Sequence, residues 1–134
     1  RGYREALAKY GVPCDPVLVR RGDSKHQSGI QLCGELLDLP DPPDALFAGN
    51  NLITLGALEE IHRRGLKIPK DIAIVGFDDM YWSSSLNPPL TAVRQPAGEI
   101  GRRAGELLIQ RINDPKRTSV QMMLNAELIR RKST

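Results

Sequence analysis

The chain has 134 residues, enough for one domain or a piece of a larger one, and 40% of them are hydrophobic, enough to bury a core. Its net charge of +3 is small, and its basic residues fall in scattered short groups such as Arg63-Arg64 and Arg102-Arg103 rather than in the long patch expected of a nucleic-acid surface. No apolar stretch approaches the ~18 residues of a membrane span, so no membrane partner is expected.

In chain order, Tyr3, Ala6, Leu7 and Tyr10 share one helical face, and Gly11 is placed to cap it. Residues 16–20, Pro-Val-Leu-Val-Arg, read as a strand. A polar stretch with the turn signal Gly22-Asp23-Ser24 follows. Residues 28–37 then read as a helix with Ile30, Cys33, Leu36 and Leu37 inward, stopped by Pro40, Pro42 and Pro43. Residues 45–49 form a second short apolar run, followed at once by Asn50 and Asn51. Leu52, Leu55, Leu58 and Ile61 mark the next helix, with Arg63-Arg64 in its last turn and Gly65 as its cap. Residues 71–77 run through Ile72, Ala73, Ile74, Val75 and Phe77, which suits a strand buried on both faces, and end in Asp78-Asp79. The alternation of strand and helix indicates a parallel sheet with right-handed crossovers, an α/β fold.

Beyond Asp79 the pattern changes. Tyr81, Trp82 and three serines precede the rigid turn Asn87-Pro88-Pro89. Residues 90–94 can be a strand, and residues 99–112 are strongly helical with Ile100, Ala104, Leu107, Leu108 and Ile112 on one face. Residues 120–124 and 127–129 look like short closing strands. The first residues already read as the inside of a helix, so the chain is expected to be a fragment of a longer protein.

Asn50-Asn51 and Asp78-Asp79 each follow an expected strand. If those strands are parallel neighbours, both pairs lie at the carboxyl edge where open α/β sheets bind ligands. Amides that donate and accept, beside carboxylates that accept, suit a polyhydroxylated or amino-bearing small molecule. Asn50 or Asn51 equally suits a helix N-cap, and adjacent residues can divide the two roles. Enzyme signatures are absent: there is no GxSxG elbow, P-loop or GxGxxG. His26 lies in the polar loop and could reach the same edge, but nothing supplies a nucleophile or a metal set. Trp82 and Tyr81 suit a protein contact or a sugar-stacking face. Cys14 and Cys33 are too far apart for a CxxC site and are expected to be reduced, with Cys33 in the core. No cofactor is expected.

Four stretches, in order and suitably spaced, carry a resemblance. They are residues 43–58 (PDALFAGNNLITLGAL), residues 65–79 (GLKIPKDIAIVGFDD), residues 88–96 (PPLTAVRQP) and residues 128–134 (LIRRKST). Together the chain resembles the effector-binding domain of the LacI/GalR family of bacterial transcriptional regulators. That resemblance implies a periplasmic-binding-protein-like fold in which two α/β subdomains flank a cleft holding a sugar or related metabolite. It implies a cytoplasmic homodimer that binds operator DNA through a helix-turn-helix headpiece absent from this chain. On it, residues 1–90 belong to the second subdomain without its first strand. Residues 91–118 are a crossing strand and a helix that belongs with the absent first subdomain, and residues 119–134 return and end the chain. Asn50 and Asp78 match effector-contacting positions, and Gln95 lies on the crossing segment near the cleft. Ser24 matches a loop position that is often aromatic in the family, so the stacking face is missing here. Asn51 stands where the family usually has Asp. The chain would begin just after the family's effector-contacting arginine, a role not assigned to Arg1. A periplasmic sugar-binding protein of the same fold is the alternative, and a small α/β enzyme using Asp78 with His26 is the third, less favoured reading. The helix at 99–112 would need another chain to cover its apolar face, so a dimer or swapped assembly is expected.

Overall fold

The computed structural model describes residues 1–134. It contains helices α1 (Gly2–Lys9), α2 (His26–Leu37), α3 (Asn51–Arg63) and α4 (Ala97–Asn113), and strands β1 (Ala45–Phe47), β2 (Ala73–Phe77), β3 (Thr91–Arg94) and β4 (Glu127–Ile129). The strands form one sheet in the order β1-β2-β3-β4. The first three are parallel, and β4 closes antiparallel on β3. The α/β architecture read from the alternation is the one observed.

The core lies between the sheet and the α2–α3 pair. Ile61, Ile72, Ile74 and Leu90 are essentially inaccessible to solvent and cluster with Cys33, Ala57, Leu58 and Ala92. Burying each large aliphatic side chain contributes roughly 1.5–3 kcal/mol. The two helices meet backbone to backbone. A Cβ added at Gly56 would lie 2.2 Å from the His26 carbonyl oxygen, and one added at Gly29 would lie 2.6 Å from the Ile53 carbonyl oxygen. Glycine at both positions therefore allows the close crossing. Burial pushes the Cys33 thiol up to about 11, as suits a core thiol. Gly11 and Gly65, at φ 68 and 71, end α1 and α3. A pair of closing bonds forms at each: Gly11 N–H donates to Ala8 O and Val12 N–H to Leu7 O, and Gly65 N–H donates to His62 O and Leu66 N–H to Ile61 O.

Three expectations are corrected. Residues 16–20 do not form a strand; Pro16–Leu18 is a 3-10 turn. The Asp15 carboxylate accepts from Val17 N–H at 2.8 Å, and the Arg20 guanidinium donates to Val17 O at 2.6 Å, so the segment satisfies its polar groups locally. Residues 120–124 join no ladder, and Val120, Met122 and Met123 are exposed. Finally, β2 is not buried on both faces. Ile74 and Gly76 are buried, while Ala73, Val75 and Phe77 are partly exposed. The helix pair covers one face, and α4, which buries none of its residues, leaves the other face open.

Beside β1 runs an apolar trench of about 750 Å³. Its lining includes Leu18 to Arg20, Ala45 to Asn50, and Leu32, Cys33, Leu36, Ile53 and Ala57. β1 pairs only with β2, so its outer edge faces this trench.

Candidate effector site at the carboxyl edge of the sheet

Because β1 and β2 are adjacent and parallel, with Phe47 opposite Val75, the residues that follow them emerge at the same edge. Asn50 and Asp78 are therefore neighbours in the fold through strand register. β3 ends at this edge too, with Gly76 opposite Ala92 and Phe77 opposite Val93, which brings Gln95 alongside.

Asn50 is the N-cap of α3. Its side-chain oxygen accepts from Ile53 N–H at 2.7 Å, and its amide donates to Ser24 O at 3.0 Å. The cap reading of the sequence is met by Asn50, and both polar ends of its side chain are engaged. Ser24 is exposed and adopts φ 65, a left-handed conformation uncommon for serine. The close α2–α3 crossing brings the starts of the two helices together, which places the Ser24 carbonyl within reach of Asn50.

Asp78 sits at φ 74 immediately after β2. Its backbone N–H donates to Val93 O at 2.9 Å, and its carboxylate accepts from the Gln95 side-chain amide at 2.6 Å. No cation pairs with it. The left-handed backbone costs about 1 kcal/mol or more for a non-glycine residue and is maintained by these surrounding bonds. Asp79 has a different fate. Its carboxylate meets the Arg131 guanidinium at 2.7 and 3.0 Å and is nearly buried, and Arg131 holds it well below the usual carboxylate range. Of the two consecutive acids, only Asp78 keeps an unneutralised carboxylate at the edge.

Other candidates fall elsewhere. His26 is the first residue of α2, not a loop residue, and its imidazole lies 3.1 Å from Glu59 on α3. The proximity to the edge suggested by a loop position does not follow. Asn51 donates to the Met80 sulfur at 3.5 Å. Trp82 is half-buried and packs against the core, whereas Tyr81 is 88% exposed. No group of three or more His, Cys, Asp or Glu side chains is arranged to hold a metal. The residue that sequence reasoning missed is Arg131. It stands 52 positions from Asp79, beyond any local spacing rule, and only its place in the closing LIRRKST stretch drew attention to it.

The edge thus presents a carboxylate, an amide and a left-handed loop. That set can exchange several hydrogen bonds with a neutral polyhydroxylated molecule.

Comparison with known proteins supports the same direction. The periplasmic binding protein-like domain family matches residues 1–134. The HTH-type transcriptional repressor CytR of Escherichia coli K12 is 40% identical over 134 residues, covering 100% of this chain and 39% of the repressor. The HTH-type transcriptional regulator CelR of Thermobifida fusca is 38% identical over 133 residues, covering 99% of this chain and 39% of that regulator. A solved transcriptional regulator CelR–cellobiose complex superposes with a TM-score of 0.90 at 40% identity, over 99% of this chain and 41% of that one. The chain spans about two fifths of the length of these relatives. No helix is long and apolar enough to cross a membrane.

Proposed function

Since the chain belongs to the periplasmic binding protein-like domain family, in the form carried by LacI-type transcriptional regulators, we propose that it is an effector-binding part of a bacterial DNA-binding regulator. It senses a sugar or related small metabolite, and subdomain movement on binding changes operator affinity. Asp78 is the principal hydrogen-bond acceptor for the ligand, Gln95 orients it, and Asn50 and Ser24 shape the neighbouring wall. The observation that carries this reading is the Asp78 carboxylate, paired with no cation and held by Gln95 at the edge shared with Asn50, within a chain matched throughout to repressors.

The remaining roles follow from the same reading. The DNA-binding headpiece lies outside these residues, and the protein acts in the cytoplasm as a homodimer without a catalytic step. Residues 1–90 form the second subdomain. The trench beside β1 takes the first strand of that subdomain, and the open face of α4 packs with the first subdomain. A transport protein of the same fold is the weaker reading, because the curated relatives quoted above are named as transcriptional regulators.

The test uses the full-length protein. Thermal shift against pentoses, hexoses, disaccharides and nucleosides is expected to show a concentration-dependent rise in Tm for one class. Asp78→Asn is expected to weaken that ligand by roughly 1–3 kcal/mol, the cost of an unmatched buried polar contact. Genomic DNA fragments selected on the protein should be enriched in one sequence. Undiminished ligand affinity in Asp78→Asn would overturn the site, and absence of sequence enrichment would overturn the regulator.

A further inference from the structure

The C-terminal tail enters the sheet. Ser133 is buried between the entry ends of β2 and β3: its hydroxyl donates to Ile74 O at 2.7 Å and accepts from Thr91 N–H at 2.8 Å, while Ile74 N–H donates to Ser133 O at 2.9 Å. Two residues earlier, Arg131 N–H donates to the Thr91 hydroxyl at 2.9 Å. These bonds fix where the Arg131 side chain begins. Its guanidinium then makes two contacts with the Asp79 carboxylate and a third with Leu90 O at 2.7 Å.

Asp79 and Leu90 are the two ends of the loop that leaves β2 and returns to β3. One planar side chain, itself anchored through a buried tail, therefore pins both ends of that loop. Asp78 is the residue immediately before the pinned end, in a left-handed conformation that is uncommon outside glycine. Its N–H reaches Val93 on β3, and its carboxylate reaches Gln95 just beyond β3. Both bonds require β2, the loop and β3 to keep one relative position.

We infer that Arg131 is a positioning residue for the effector site: by clamping Asp79 and Leu90 it holds Asp78 in the geometry that presents its carboxylate at the sheet edge. This rests on the assignment of Asp78 to the effector, and the consequence is that affinity at this edge depends on the end of the chain. Arginine is required because a lysine, with one ammonium, cannot make the forked contact and reach Leu90 together.

Site-resolved amide hydrogen exchange on the full-length protein tests the inference without a ligand. In Arg131→Gln the Asp78 amide is expected to exchange at least about tenfold faster, while the Ile61 amide in the core of α3 keeps its wild-type rate. Asp79→Asn should do the same, and the double variant should add little to either single change. Arg131→Lys should lie between, and it serves as the readable variant if Arg131→Gln does not fold. An unchanged Asp78 amide in the folded variants would overturn the proposal. So would a uniform acceleration at Asp78 and Ile61 alike, which would mean that Arg131 supplies general stability only. Undiminished ligand affinity in Asp78→Asn would sink the effector assignment but leave the exchange result standing. The opposite pattern would sink the clamp alone.

Discussion

The side-chain amide of Asn50 donates to the backbone oxygen of Ser24 across 3.0 Å, while the same side chain caps α3 through Ile53 N–H. One residue thus joins the start of α3 to the loop ahead of α2. Two variants separate the two bonds. Asn50→Asp retains the cap acceptor and loses the donor to Ser24, whereas Asn50→Ala loses both. Asn50→Ala is expected to lower stability by ~1 kcal/mol or somewhat more in urea unfolding. Asn50→Asp should stay near wild type in global stability, with the Ser24 and Lys25 amides shifted in an NMR spectrum. Equal destabilisation in both variants would show that the Ser24 bond carries the energy.

The α2–α3 crossing depends on two residues without side chains. A methyl group at Gly56 would meet the His26 oxygen and the Ile30 nitrogen, which are backbone atoms that cannot turn aside. Gly56→Ala should therefore force the helices apart and cost ~1–3 kcal/mol or more in denaturant unfolding. Gly98→Ala, at an open position near the start of α4, should be neutral or slightly stabilising. Near-equal midpoints for the two variants would contradict the crossing.

Glu60 is buried on α3 and accepts from both Arg63 and Arg64, at 2.6 to 2.7 Å. Those bonds bring its carboxyl from 4.5 down to about 2. A depressed folded-state value means that its contribution is complete above pH 4.5 and is lost as the pH falls toward 2. The stability difference between wild type and Glu60→Gln should accordingly be ~1–3 kcal/mol at pH 7 and shrink across that acidic window. Chemical unfolding at several pH values measures it. A difference independent of pH would mean that the loss comes from packing.

Much of this protein follows from local pattern. The apolar runs at 45–49 and 72–77, the intervening helix and its Gly65 cap are dictated by side-chain period and backbone preference, which act within a few residues. Parallel pairing of β1 and β2 follows from the crossover helix between them, and that pairing is enough to bring Asn50 and Asp78 to one edge. Residues 16–20 defeated the same reasoning. Their composition suits a strand, but a strand needs a neighbour, and the Asp15 cap offers the backbone a local alternative. Tertiary structure alone decided how the polar groups are shared. Asp78 and Asp79 are identical by type and adjacent in sequence, yet one faces Gln95 and the other is neutralised by Arg131. That division depends on a contact between distant parts of the chain, whose geometry exists only after the sheet has closed around Ser133. Residue pattern can therefore place acids at the edge of the sheet, but only the long-range hydrogen bonds choose which one is left without a cation.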